Sequence, residues 1–171
     1  MILASLAFLE TEMNCYFQRV YNNNEAHVML SAIINPDGSL LLNIENKIII
    51  TLLNIEDAIH KKNALPPNMG VTNTPSPVDI NLYVLFSAFF SADNYKESLQ
   101  KIYLVHSFFG ERPVFTTVHS PGLDKSIEKI SIEIVNLDAE KLNHTWVALG
   151  AKYMPSVVYK MHITGKTAGI V

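Results

Sequence analysis

Apolar residues recur near the start of the chain at intervals of three and four: Ile2, Leu6, Leu9, Met13, Phe17 and Val20. That spacing puts them on one face of a 3.6-residue helix, with Glu10, Asn14 and Arg19 elsewhere, and predicts an amphipathic helix over 2–21. Asn22-Asn23-Asn24 ends it. The run Val28 to Ile34 then reads as a strand, and Asn35-Pro36-Asp37-Gly38 after it predicts a hairpin-like reversal. Leu40 to Ile44 and Lys47 to Ile55 are dense in leucine and β-branched residues, the composition of strands covered on both faces.

Residues 60–78 hold Pro66, Pro67, Pro75 and Pro77 with Gly70, so they sustain neither a helix nor an internal strand. They are read as an exposed loop, either a binding or assembly element or a plain connector. Leu82 to Phe90 is the most apolar strand candidate. Ser91-Ala92-Asp93 offers caps for a helix over 94–109 with a stripe of Tyr95, Leu99, Ile102, His106 and Phe109. Gly110 is expected to stop that helix and Pro113 to prevent its resumption, with a short edge strand over 114–118.

Further on, Ile130, Ile132 and Ile134 alternate with Lys129, Ser131 and Glu133, which predicts a strand with one buried side. Asp138 caps a helix to about Leu149, Gly150 ends it, and Ser156 to Ile163 forms a last strand. The remaining residues, 164–171, read as a short C-terminal tail. Strands in succession together with helical crossovers make an α/β (α+β) fold: one domain over 1–171, a mixed β-sheet packed by about three helices.

Composition agrees with a single core, since 171 residues, 49% hydrophobic and 17% charged, match one globular domain. A net charge of -3 gives no basic field to gather phosphates, so nucleic acid is not an expected partner. The opening MILASLAFL lacks a preceding base, and Glu10 and Glu12 follow it. The segment is therefore read as helix rather than signal peptide, and synthesis is expected to be cytoplasmic. No apolar run reaches the roughly 18 residues of a membrane span, so no membrane insertion is expected.

Candidate chemistry is sparse. Cys15 cannot form an internal disulfide and, beside Met13, Tyr16 and Phe17, is expected to be a buried thiol. Gly165-Lys166-Thr167 imitates the end of a phosphate loop, but Lys160 stands where that motif needs its first glycine. The six histidines show no metal-ligand spacing. His106 falls on the predicted apolar stripe, where a satisfied core histidine is expected. His119 has a serine beside it but no nucleophile elbow, and Ser120-Pro121-Gly122 reads better as a turn. Glu128 and Glu133 would lie on opposite faces of a regular strand, and Asn143-His144-Thr145 is a sequon without a secretory route. No catalytic, cofactor-binding or metal residue is assigned, and the residues point to a binding role rather than to an enzyme.

Four segments together carry a resemblance: Asn46 to Glu56, Asn81 to Phe86, Phe108 to Thr116, and above all Leu142 to Lys160. In order along nearly the whole chain, they resemble the tail-terminator, or cap, family of phage-tail-like contractile injection systems of the Photorhabdus-virulence-cassette and antifeeding-prophage type. The resemblance implies a structural cap: a ring, typically a hexamer, on the distal end of the particle, touching the last rings of sheath and inner tube. It would end polymerisation and hold the sheath, with strand addition as the expected link. The strand near 128–135 and the C-terminal strand at 156–163 are the expected pairing edges. Several members of that family run longer past the terminal Tyr-Lys strand, so contacts made by those extensions are expected to be absent or supplied otherwise.

Two alternatives stay open beside the cap: the terminator of a true contractile phage tail or related secretion system, and a small-ligand-binding or hydrolytic domain built on the 60–78 loop and His119. Aromatic residues and methionine are enriched at interface cores, which makes Trp146, Tyr153, Met154 and Tyr159 interface candidates, with Lys152 and Lys160 as candidates for ion pairs between subunits. Trp146 also fits the core of a helix packed on a sheet.

Overall fold

The computed structural model describes residues 1–35, 37–39, 41, 44–58 and 78–166. The opening helix α1 spans Ile2–Tyr21 and ends in Asn22, whose φ of 50° is left-handed. Its buried face carries Leu6, Leu9, Met13 and Phe17 as predicted, joined by Ser5 and Phe8. Cys15 corrects its prediction, because it is exposed. Two residues on from Met13 it is turned about 200° away from the buried stripe, and neighbours in sequence are not neighbours in burial.

Six strands form one sheet in the order β1-β2-β3-β6-β5-β4. They are β1 (Val28–Leu30), β2 (Lys47–Asp57), β3 (Val78–Phe89), β4 (Val114–Thr116), β5 (Ile127–Val135) and β6 (Ser156–Gly165). Among the described residues, β1 and β2 run parallel and every other pair is antiparallel. The predicted reversal after β1 forms around Gly38 at φ 83°, whose N–H donates to Asn35 O while Asn35 N–H donates to Ser39 O. β2 starts level with β1, pairing Val28 with Ile48. Of the predicted strand over 40–44, Leu40, Leu42 and Asn43 lie outside the described residues, while Leu41 and Ile44 are in irregular backbone.

Helix α2 (Tyr95–Glu111) follows a 3-10 turn over Ala92–Asn94 and runs through Gly110 to Glu111, capped by Arg112 just before Pro113. Proline cannot continue the backbone ladder, so Pro113 rather than Gly110 sets the boundary. The buried residues are Ser98, Lys101, Val105, Phe108 and Phe109, while Tyr95 and Leu99 are about half exposed. The predicted stripe was rotated by about one residue, and His106 is exposed at its edge rather than part of the core. Helix α3 (Ala139–Leu149) agrees with its reading: Asp138 accepts from Lys141 N–H, and Gly150 closes the helix at φ 68°.

The two faces of the sheet are covered differently. On the first, α1 and α2 seal a core containing Ile48, Ile50, Leu82, Val84, Phe86, Ile130, Ile132, Met161 and Ile163. On the second, Trp146 of α3 joins Ile33, Ile44, Ile49, Leu85 and Val158 in a smaller core. The alternation appears as predicted at Ile130 and Ile132, buried, and at Lys129 and Glu133, exposed, but it fails at Ile134, which is 44% exposed near the end of the strand. The register shift between Ile127 and Lys129 breaks the regular strand that would have opposed Glu128 to Glu133, and both are exposed.

β6 extends two residues past its prediction, so Thr164 and Gly165 belong to the sheet and not to a tail. Gly165 pairs with Val78 on one side and Ile127 on the other, and Lys166 N–H donates to Ser126 O. Of the 60–78 loop only Val78 is described, as the first residue of β3; the rest of it, and 167–171, lie outside the described residues.

Candidate interaction surface

Among the described residues, no three His, Cys, Asp or Glu side chains cluster so as to hold a metal ion. His119 Nδ1 lies 3.1 Å from Thr116 Oγ1, and Ser120 is buried with its N–H donating to Thr116 O. These bonds belong to the turn that follows β4.

Surfaces carry more information than cavities here. The residues picked from sequence divide between the two faces. Trp146 is 3% exposed and meets Tyr153 edge-on, with ring centroids 5.9 Å apart. Met154 packs at the margin of the same cluster, so Trp146, Tyr153 and Met154 form one unit where α3 returns to β6. Within it Tyr153 remains 62% exposed, Lys152 is exposed, and Val147, one residue beyond the buried tryptophan, is 68% exposed.

Tyr159 stands apart on the other face, buried against Phe86 and Phe109 with its hydroxyl 3.3 Å from His106 Nδ1. Burial disfavours its phenolate and pushes its pKa up to about 12. Lys160 points the opposite way from its neighbour, as strand alternation requires, at a register position between Tyr83 and Glu133. Polar residues Asn81, His162 and Ser131 form the next row of that face, and His162 Nδ1 lies 3.0 Å from Asn81 Oδ1.

Three features were not singled out from sequence. The first is a groove on the helical layer between the end of α1 and the middle of α2, lined by Val20, Tyr21, Leu99, Gln100, Tyr103 and Leu104. Tyr103 is 68% exposed in it. The second is Val147, hidden in the sequence because it follows the more conspicuous Trp146.

The third concerns the sheet edges and corrects an expectation. β6 lies between β3 and β5, so both of its edges are already paired and it offers none to a partner. β5 is paired by β4 over Lys129, Ile130 and Ser131, and Ile132 N–H donates to Pro113 O, which leaves only its last residues open. Among the described residues, the longer open edge is on β2. β1 covers Ile48 to Ile50, Ser31 N–H reaches Ile50 O, and then β1's chain departs while β2 continues to Asp57. Strand order, which no local pattern encodes, decides which edge is free.

The model of the Pvc16 N-terminal domain family matches residues 7–166, so the chain belongs to that family. Among solved structures, it is similar to the sheath/tube terminator of an extracellular contractile injection system, PVC, in its extended state. The TM-score is 0.62 at 14% identity, covering 98% of this chain and 57% of that one. It is also similar to the tube-terminating cap of the anti-feeding prophage, with a TM-score of 0.50 at 13% identity over 84% of this chain and 50% of that one. The chain thus spans about half the length of these structures. No curated protein matches it.

Proposed function

We propose that this member of the Pvc16 N-terminal domain family is a structural cap. In this reading it forms a ring on the distal end of a contractile, phage-tail-like particle, ends polymerisation of tube and sheath, and anchors the last sheath ring. The observation that carries the reading is a fold shared over 98% of the chain with a sheath/tube terminator.

The surface supports it. A ring built by head-to-tail contact needs two different patches on each subunit. The groove at Val20, Leu99 and Tyr103 lies on the helical layer formed by α1 and α2, while Val147 and Tyr153 lie on the layer formed around α3. The two layers sit on opposite faces of the sheet, so a neighbour could be engaged on either side. In a ring of about six copies, Tyr153 and Met154 would contribute apolar contact, and Lys152 and Lys160 would offer charges to the neighbouring subunit or to tube and sheath.

Two measurements test this. Mass photometry of the purified chain should show rings or concentration-dependent assembly, and a chain that stays monomeric with or without sheath and tube proteins contradicts the proposal. Micrographs of particles made without this protein should show unregulated length, whereas particles of normal, uniform length would exclude a terminating role.

A further inference from the structure

We infer that the outer edge of β2 from Leu52 to Asp57 is a docking site for an extended, basic strand of another protein. Ile48 N–H donates to His27 O and Ser31 N–H donates to Ile50 O, so Ile48 and Ile50 direct their backbone groups toward β1. Beyond the register shift between Leu52 and Asn54, Ala58 N–H donates to Asp79 O on the β3 side. Alternation along an antiparallel pair then turns Asn54 and Glu56 toward β3 and leaves Leu52, Ile55 and Asp57 directing N–H and C=O outward. No described residue pairs with them.

An unpaired edge of that length is a template for strand addition, which proteins usually suppress by shortening the edge or charging it. The other edges of this sheet are short or nearly covered: β1 and β4 have three residues each. At β2 the edge is long, and its side chains are selective instead of closed. Where β1 departs, Leu30, Ala32, Ile50 and Leu52 line a groove that would take an apolar side chain of an incoming strand. Farther along, Glu56 and Asp57 are exposed, and between Thr51 and Ala58 there is no basic residue.

Charge complementarity therefore chooses the occupant. Two β2 edges from two copies would bring their own acids together, so self-pairing is opposed. A strand with an apolar residue at one end and lysine or arginine opposite Glu56 and Asp57 gains main-chain hydrogen bonds and offsets both charges. This deepens the cap reading by naming where a sheath or tube strand would attach. It rests on that reading only for the strand's source.

Hydrogen exchange of the backbone amides in the full chain tests the site directly. The probe is a short acetylated peptide of alternating valine and lysine, compared with one of alternating valine and glutamate. Exchange at Leu52, Ile55 and Asp57 should slow by about tenfold or more with the basic peptide and hardly change with the acidic one. A basic peptide N-methylated at alternate positions, in both registers, should give no protection. Ile55→Pro removes an outward N–H while sparing the β3 ladder, so it should abolish protection with little loss of melting temperature; Glu56→Lys with Asp57→Lys should reverse the peptide preference.

No slowing, or slowing at Ile134 of β5 instead, overturns the site. Equal slowing by both peptides overturns the basic occupant, and protection of the same amides by self-association assigns the edge to a second copy. Ring formation is read separately by mass, so a chain that assembles but ignores the peptide defeats this inference alone. One that binds the peptide but never assembles defeats the ring instead.

Discussion

The ammonium of Lys101, on a side chain 4% exposed, lies 3.3 Å from Nδ1 of His27. Lysine has only donors, so His27 Nδ1 accepts and the ring proton sits on Nε2, where it is donated to Asn23 Oδ1 at 2.8 Å. Asn46 O at 3.2 Å and Glu97 Oε1 at 3.2 Å also receive the ammonium, which lies over the rings of Tyr21 and Phe90. One buried cation thus ties the end of α1, the start of β2 and the middle of α2.

A pH dependence follows. Burial first, and the Lys101 charge second, hold the His27 pKa below its ordinary 6.5 against the smaller opposing pull of Glu25 and Glu97. Below about pH 6.5 the unfolded chain takes a proton that the folded chain refuses, so this contribution to stability is present above that pH and is lost as pH falls toward the folded value. Melting temperature should drop between about pH 7 and pH 5. In Lys101→Met, where the like charge is gone, the drop attributable to His27 should shrink. An equal drop in both proteins would contradict the assignment.

Trp146 is a packing residue of the subunit first. Trp146→Ala should cost about 3–5 kcal/mol, the usual range for emptying a large aromatic site. No described residue accepts from its buried Nε1, so Trp146→Phe loses no hydrogen bond and should cost about 1 kcal/mol. As the chain's one tryptophan, its emission should be blue-shifted when folded and move to the red on unfolding.

Gly165 is where two ladders meet, and the close approach explains the residue. A Cβ there would collide with Ser126 O and come within 2.8 Å of Met1 Cε. Gly165→Ala should therefore destabilise by about 1–3 kcal/mol, as overpacking does, measured by denaturant titration. A neutral result would mean that the β5–β6 register at this end is not as described.

Ring contacts can be separated from folding. Tyr103 and Tyr153 are exposed on opposite layers, so Tyr103→Glu should leave the melting temperature of the monomer nearly unchanged and Tyr153→Glu, which loses the edge-on contact with Trp146, should lower it modestly, while each shifts mass photometry from rings to single chains. Normal ring formation in both would show that these patches are not the contact.

Tyr159, by contrast, is internal. Its phenolate absorbance should stay absent until about pH 12, and Tyr159→Phe should be nearly neutral for assembly. Loss of rings in a fully folded Tyr159→Phe would return it to the interface.

Local patterns determined much of this protein. The 3.6-residue repeat placed α1 at residues 2–21, Asp138 and Gly150 bracketed α3, and alternation found the buried side of β5, because each is a property of a few adjacent residues. The four segments that carry the family resemblance are likewise legible in the sequence. Burial at the margins was not: Cys15, His106 and the α2 stripe were misjudged because a rotation of one residue on a helix depends on what packs against it.

Pairing was decided only by the tertiary structure. Nothing local to Ser156–Gly165 says that β6 will sit between β3 and β5, or that β1 will run parallel to β2 and leave it early. Those are contacts between residues far apart in sequence, chosen by how two helical layers cover one sheet. Among the described residues, they move the open edge from β5 and β6, where the sequence suggested it, to Leu52–Asp57 of β2.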